Sequence, residues 1–186
     1  MAKKLNAEKI NFVLYMVAAL WIVYGVNRIL SLNLNTLGIV PRTTRGLIGI
    51  IASPFLHASL YHLISNTIPL LILGLLLVIF YEKIAPSVIG IVVVVGGGLV
   101  WLLARSGNHI GASGVIYGMA AFLIAYGLIK RNIIPILISV IVAVFYGVSM
   151  LGGLVPVRGF ISWESHLFSA AAGIFAAYTL RSRKFK

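Results

Sequence analysis

The chain contains no cysteine and no aspartate, and only three glutamates, Glu8, Glu82 and Glu164, among its 186 residues. Without cysteine there are no disulfides and no thiolate chemistry. Without aspartate a Ser-His-Asp triad is excluded. No HExxH or comparable ligand pattern occurs, and the Gly96-Gly97-Gly98 run lacks any phosphate-binding context, so neither a metal nor another cofactor is expected. Charge is scarce as well. Only 10% of residues are charged against 61% hydrophobic, too little polar surface to keep a soluble domain in water.

What is present are six apolar stretches, near 11–30, 60–81, 86–104, 112–129, 133–151 and 164–180. Each approaches the roughly 20 residues that a membrane-spanning helix needs. They predict an all-α membrane protein, a six-transmembrane-helix bundle in a single domain over residues 1–186. The first stretch lacks a small-residue cleavage site and reads as a retained helix. The net charge of +12 does not imply nucleic acid, because the basic residues flank the apolar stretches and form no continuous patch. With the N-terminus inside, ten of them fall on the inner side, including Lys3, Lys4, Lys9, Lys184 and Lys186. Five, among them Arg28, Arg105 and Arg158, fall outside. That imbalance predicts both termini in the cytoplasm.

The one long connection, Ser31 to Ser59, lies on the outer side in this topology. Its second half and the residues after it, GLIGIIASPFLHASLYH, are too apolar for a solvated loop and too interrupted by Gly and Pro for one helix, so the segment is expected to dip into the interface. The outer loop from Leu154 to Trp163, with Pro156 and Gly159, is shorter, and the inner turns are tight. The two halves share no polar motif of the kind that inverted-repeat transporters show.

Polar side chains inside spans are costly and therefore candidates for function. Here they share one level. His62 and Asn66 fall in the outer part of the second stretch, Ser113 at the outer end of the fourth and His166 near the outer end of the sixth. Ser113 sits in HIGASGVIYG, where Gly111, Gly114 and Gly118 leave space around its hydroxyl. A serine becomes a useful nucleophile when a base accepts its proton at hydrogen-bond distance. His166, on a helix whose small residues Ser169, Ala170, Gly173 and Ala177 permit close packing, is the candidate base. No glutamate is placed to orient it, since Glu164 is only two positions away and points to another face, so a Ser-His dyad is expected. Tyr117, four residues after Ser113, is positioned to pack under the imidazole. His62 and Asn66, also four apart, are candidate donors for an oxyanion together with the Ser113 amide. His109 reads as a solvated loop histidine.

GASG with Tyr117 four residues after Ser113, HASLYHLISN, and a histidine in the last helix together resemble the rhomboid proteases. The resemblance covers essentially the whole chain and implies an intramembrane serine endopeptidase of the minimal six-helix type. Its substrates would be single-pass transmembrane proteins met within the lipid, with the site open to the outer face of a prokaryotic cell membrane. It implies Ser113 as nucleophile, His166 as base and His62, Asn66 and the Ser113 amide as the oxyanion hole, with His57 as a supporting residue. Ser169 stands where the family usually has glycine, and the family's Trp-Arg pair in the first loop is missing. The alternative is a rhomboid-like protein without activity that binds transmembrane clients, although such proteins typically lack the serine or the histidine.

Overall fold

A computed structural model describes residues 7–155 and 162–183 of the chain. Lys3, Lys4, Pro156, Arg158, Gly159, Lys184 and Lys186 lie outside the described residues, as does the side chain of Lys9. In chain order the helices are α1 (Ala7–Ile29), α2 (Thr44–Ala52), α3 (Leu60–Phe80), α4 (Ala85–Ile91), α5 (Gly97–Leu103), α6 (Ser113–Lys130), α7 (Ile133–Leu154) and α8 (Trp163–Thr179). A wide π-helical turn, Val92–Gly96, joins α4 to α5, so the two form one composite span. Among the described residues five segments are long and apolar enough to cross a membrane: Ile10–Ile29, Leu60–Phe80, Ala85–Leu103, Ser113–Lys130 and Ile133–Leu154. The sixth helix of the bundle, α8, has 17 residues, about 25 Å at 1.5 Å per residue, and packs along α6.

The surface is the reverse of a soluble protein's. Large apolar side chains such as Tyr15, Ile22, Phe145 and Val148 point outward, which in water would be an aggregation hazard and in lipid is simply contact with solvent. Helices rather than strands follow from the same solvent, because each apolar stretch must satisfy its own backbone N–H and C=O groups.

Helix α6 is the axis of the bundle, with Met119, Ala120, Phe122, Leu123 and Tyr126 inaccessible to solvent. Its tightest neighbour is α8. A Cβ on Gly173 would overlap the Gly118 carbonyl, so the two backbones touch where glycines face each other. With no hydrophobic drive between helices in lipid, this closeness of packing is what holds them together.

Over the end of the bundle that carries Ser113 lies a second, outer layer, formed by residues 31–59 and 104–112, and it is tied by polar bonds. Ile39 and His109 form an isolated antiparallel bridge. Arg42 donates through Nη1 to the Ala104 carbonyl at 2.8 Å and the Leu102 carbonyl at 3.2 Å, serving backbone groups at the end of α5 that lack intrahelical donors. Trp101 Nε1 donates to the Thr43 carbonyl at 2.8 Å. Helix α2 is capped by Thr43, whose hydroxyl accepts from the Gly46 amide. The connection after α1 is thus a short helix and two 3₁₀ turns, Leu34–Leu37 and Ser53–Phe55, bonded to the loop that precedes Ser113.

Candidate active site

Ser113 is the first residue of α6. Its approach is set by Gly111, whose φ of +115° is a conformation that side chains other than glycine rarely adopt. The Gly111 amide donates to the Ser53 carbonyl at 2.9 Å. The open side of Gly111 faces α3. A Cβ there would stand 2.7 Å from His62 Nε2 and 3.8 Å from Asn66 Nδ2, so both side chains stand beside the backbone two residues before the serine.

His166 comes from α8 and is 8% exposed. Its Nε2 lies 2.9 Å from Ser113 Oγ and its Nδ1 lies 2.8 Å from the Gly153 carbonyl. The Tyr117 ring stacks on the imidazole, with centroids 4.0 Å apart and planes within 6°, and the Tyr117 hydroxyl donates to the Ser149 carbonyl at 3.2 Å. Ser169, one turn after His166, fills the space left by two glycines: a Cβ on Gly96 or on Gly114 would come within 2.9 Å of its Oγ. The small residue at this position is what lets α8 lie against α6 and the π turn.

Asn66 is buried and donates to the His62 carbonyl one turn back at 3.0 Å. His57, in the outer layer, is 2% exposed and sets its ring edgewise against His62 with centroids 5.0 Å apart. Burial, with a smaller contribution from neighbouring His62, lowers the His57 pKa to about 4, so this ring is neutral at ordinary pH. Asn35 Nδ2 donates to the His57 carbonyl at 3.2 Å and Asn108 Nδ2 to the Asn35 carbonyl at 2.7 Å. A chain of amides therefore links the loop before Ser113 to the residue behind His62.

Beside Ser113 a cavity of about 120 Å³ opens between α3, α6 and α7. Ser65, Asn66 and Pro69 form one wall and Tyr146, Ser149 and Met150 the other. Pro69 has no N–H, which leaves the Ser65 carbonyl without its intrahelical donor on this side. Among the described residues no group of three His or Glu side chains is assembled to hold a metal ion.

His109 corrects the sequence reading. It is not a solvated loop residue but is 4% exposed. Its Nε2–H donates to the Arg105 carbonyl at 3.1 Å, which leaves Nδ1 to accept from the Ser162 hydroxyl. Ser162 in turn lies 2.6 Å from the Ser165 hydroxyl. Burial is the main cause lowering the His109 pKa. Beside this network Arg105 Nε pairs with Glu164 at 2.9 Å. Among the described residues the carboxylate nearest His166 in sequence thus has one oxygen paired with Arg105. These bonds fasten the start of α8, and so His166, to the loop that leads into Ser113. Sequence spacing gave no sign of them, nor of Gly153, although a Gly152-Gly153 pair closing an apolar stretch is a recognisable helix-end signal.

Comparison with known proteins gives the context. The family model described as Rhomboid domain matches residues 44–183. An uncharacterized protein of Mycobacterium tuberculosis is 39% identical over 183 residues, covering 94% of this chain and 76% of the relative. A counterpart in Mycobacterium bovis matches equally. One from Mycobacterium leprae is 35% identical over 183 residues, covering 94% and 72%.

Proposed function

Because this chain belongs to the rhomboid family and is an integral membrane protein, we propose that it is a serine-type intramembrane endopeptidase. It would cleave peptide bonds in or near transmembrane segments of single-pass proteins through a Ser113–His166 dyad. The observation that carries the reading is the 2.9 Å contact between Ser113 Oγ and His166 Nε2. They are the two groups that acyl transfer requires within hydrogen-bond reach, and they come from different helices.

In this mechanism Ser113 Oγ attacks the scissile carbonyl carbon while its proton passes to His166 Nε2. The carbonyl oxygen becomes negative, facing the Ser113 amide at the start of α6 together with Asn66 and His62. His166 then gives the proton to the departing amine nitrogen, the C–N bond breaks and an ester on Ser113 remains. Water attacks that ester with His166 taking its proton. Collapse releases the carboxylic acid and returns the proton to Ser113. Tyr117, stacked on the imidazole, limits its rotation between the two halves. The cavity beside Ser113 gives the bond to be cut a place next to the nucleophile. The excess of basic residues on one side of the spans supports termini in the cytoplasm and a site toward the outer face.

The test is labelling of detergent-solubilised protein with a fluorophosphonate, with cleavage of a model transmembrane substrate followed in parallel. Native protein should label and cleave, Ser113→Ala should do neither, and EDTA or phenanthroline should leave both unchanged. Labelling at a residue other than Ser113, or full cleavage by Ser113→Ala, would sink the assignment. Absence of both activities in native folded protein would favour a client-binding relative.

A further inference from the structure

The last two turns of α7 offer backbone carbonyls to the two rings behind Ser113. The Tyr117 hydroxyl donates to Ser149, and His166 Nδ1 stands 2.8 Å from the oxygen of Gly153. Gly153 lies among the final residues of α7, whose carbonyls have no intrahelical N–H to accept from. A carbonyl can only accept. The contact therefore requires the proton on Nδ1, and a neutral imidazole protonated there has a bare Nε2. That bare nitrogen is the one 2.9 Å from Ser113 Oγ. A single backbone oxygen thus selects the tautomer that a general base needs. It also lies at the negative end of the α7 dipole, which favours the positive charge that forms on the ring once it holds a second proton. Glu164, the nearest carboxylate in sequence, is paired with Arg105 and does not take this place.

We propose that the Gly153 carbonyl is the orienting third partner of His166 and Ser113, so that α7 both walls the cavity and arms the base. The inference rests on the protease reading above. Helix α7 packs chiefly on α6, while its Tyr146, Ser149 and Met150 face Asn66 and Pro69 across the cavity. Any displacement of the C-terminal part of α7 that widens the cavity also withdraws the acceptor from Nδ1, and the base is armed only while that end of the helix is seated. The position has no room for a side chain. A Cβ on Gly153 would overlap the Tyr117 hydroxyl and approach His166 Nδ1 to 3.1 Å, whereas one on Gly152 would meet nothing within 4 Å.

Two measurements on the full chain in detergent test this. Nitrogen-15 NMR of histidine-labelled protein, with His166 assigned by its loss in His166→Gln, should show a neutral ring protonated at Nδ1, and a ring protonated at Nε2 overturns the proposal. Gly153→Ala should lower kcat for a model transmembrane substrate about 100-fold, the scale of a 1 Å misplacement of a catalytic group. It should slow fluorophosphonate labelling of Ser113 in step, with KM little changed, while Gly152→Ala leaves all three as they are. If Gly153→Ala loses cleavage but labels at the native rate, α7 is only a wall and the proposal fails. If Gly153→Ala does not fold, the tautomer of the native protein decides. Native protein with the proton on Nδ1 but an unreactive Ser113 would overturn the protease reading and leave the His166–Gly153 bond itself standing.

Discussion

Asn66 is buried within α3, spends one amide hydrogen on the His62 carbonyl and keeps its side chain near Gly111. A donor aimed at charge that exists only in the transition state contributes to rate more than to substrate binding. Asn66→Ala should therefore lower kcat with KM little changed in proteoliposomes. The loss should stay below the roughly 3 to 4 kcal/mol of a lone oxyanion donor, because His62 and the Ser113 amide remain. A rise in KM alone would reassign Asn66 to docking or packing. Ser113→Ala and His166→Ala should each abolish cleavage, and the double variant should be hardly worse, since groups that act as a unit are not additive. Individual residues were legible as candidates in the sequence when their chemistry was out of place in lipid, as with Ser113, His166, His62 and Asn66. His109 was not, because its burial depends on Ser162 and Arg105, which lie 53 and 4 positions away and give no periodic signal. A backbone acceptor such as Gly153 leaves even less trace, since every residue carries a carbonyl.

Between elements, the contact that matters most is the α6–α8 seam, where Gly118 and Gly173 meet. Gly173→Ala would force its methyl into the Gly118 carbonyl and push α8 away. Overpacking of this kind costs roughly 1 to 3 kcal/mol, so the thermal midpoint in detergent should drop clearly. An unchanged midpoint would show that the helices have slack here. Gly98, with nothing within 4 Å of its open side, is the comparison site and should tolerate alanine. Long apolar runs made the helices easy to read from sequence, and the recurring small residues of the last stretch foretold its close packing. The π-helical turn within Val92–Gly96 could not be foreseen, because a run of valines and glycines has no polar face to reveal the change in period.

At the scale of the whole molecule, an apolar bundle carries a polar cross-tied outer layer, and the two layers respond differently to solvent. His57 in the outer layer is neutral in the folded chain down to about pH 4, whereas an unfolded histidine takes its proton near 6.5. Between those values the unfolded chain binds more protons, so stability falls as pH drops through the window and His57 adds no further loss below it. The gap between those two values corresponds to about 3 kcal/mol, and buried His109 shifts in the same direction. Thermal midpoints measured from pH 7 to pH 4 should decline, and the slope should be shallower in His57→Phe. A flat profile in the native protein would mean that acid does not reach this layer before the bundle itself opens.

The wide turn at Val92–Gly96 stands where these layers meet. Below it Val88, and at its first residue Val92, belong to the main core of the bundle. Above it Gly97 faces Ile50 of α2, and Val100 packs with Ile39. One surplus residue in a helix rotates everything beyond it by about 100°, and a π turn absorbs that surplus in place. The composite span thereby acts as a coupling between two shafts with separate angular settings. Loop segments of the outer layer can be lengthened or exchanged without re-indexing the bundle beneath, whereas removing a single valine from the turn would twist one layer against the other.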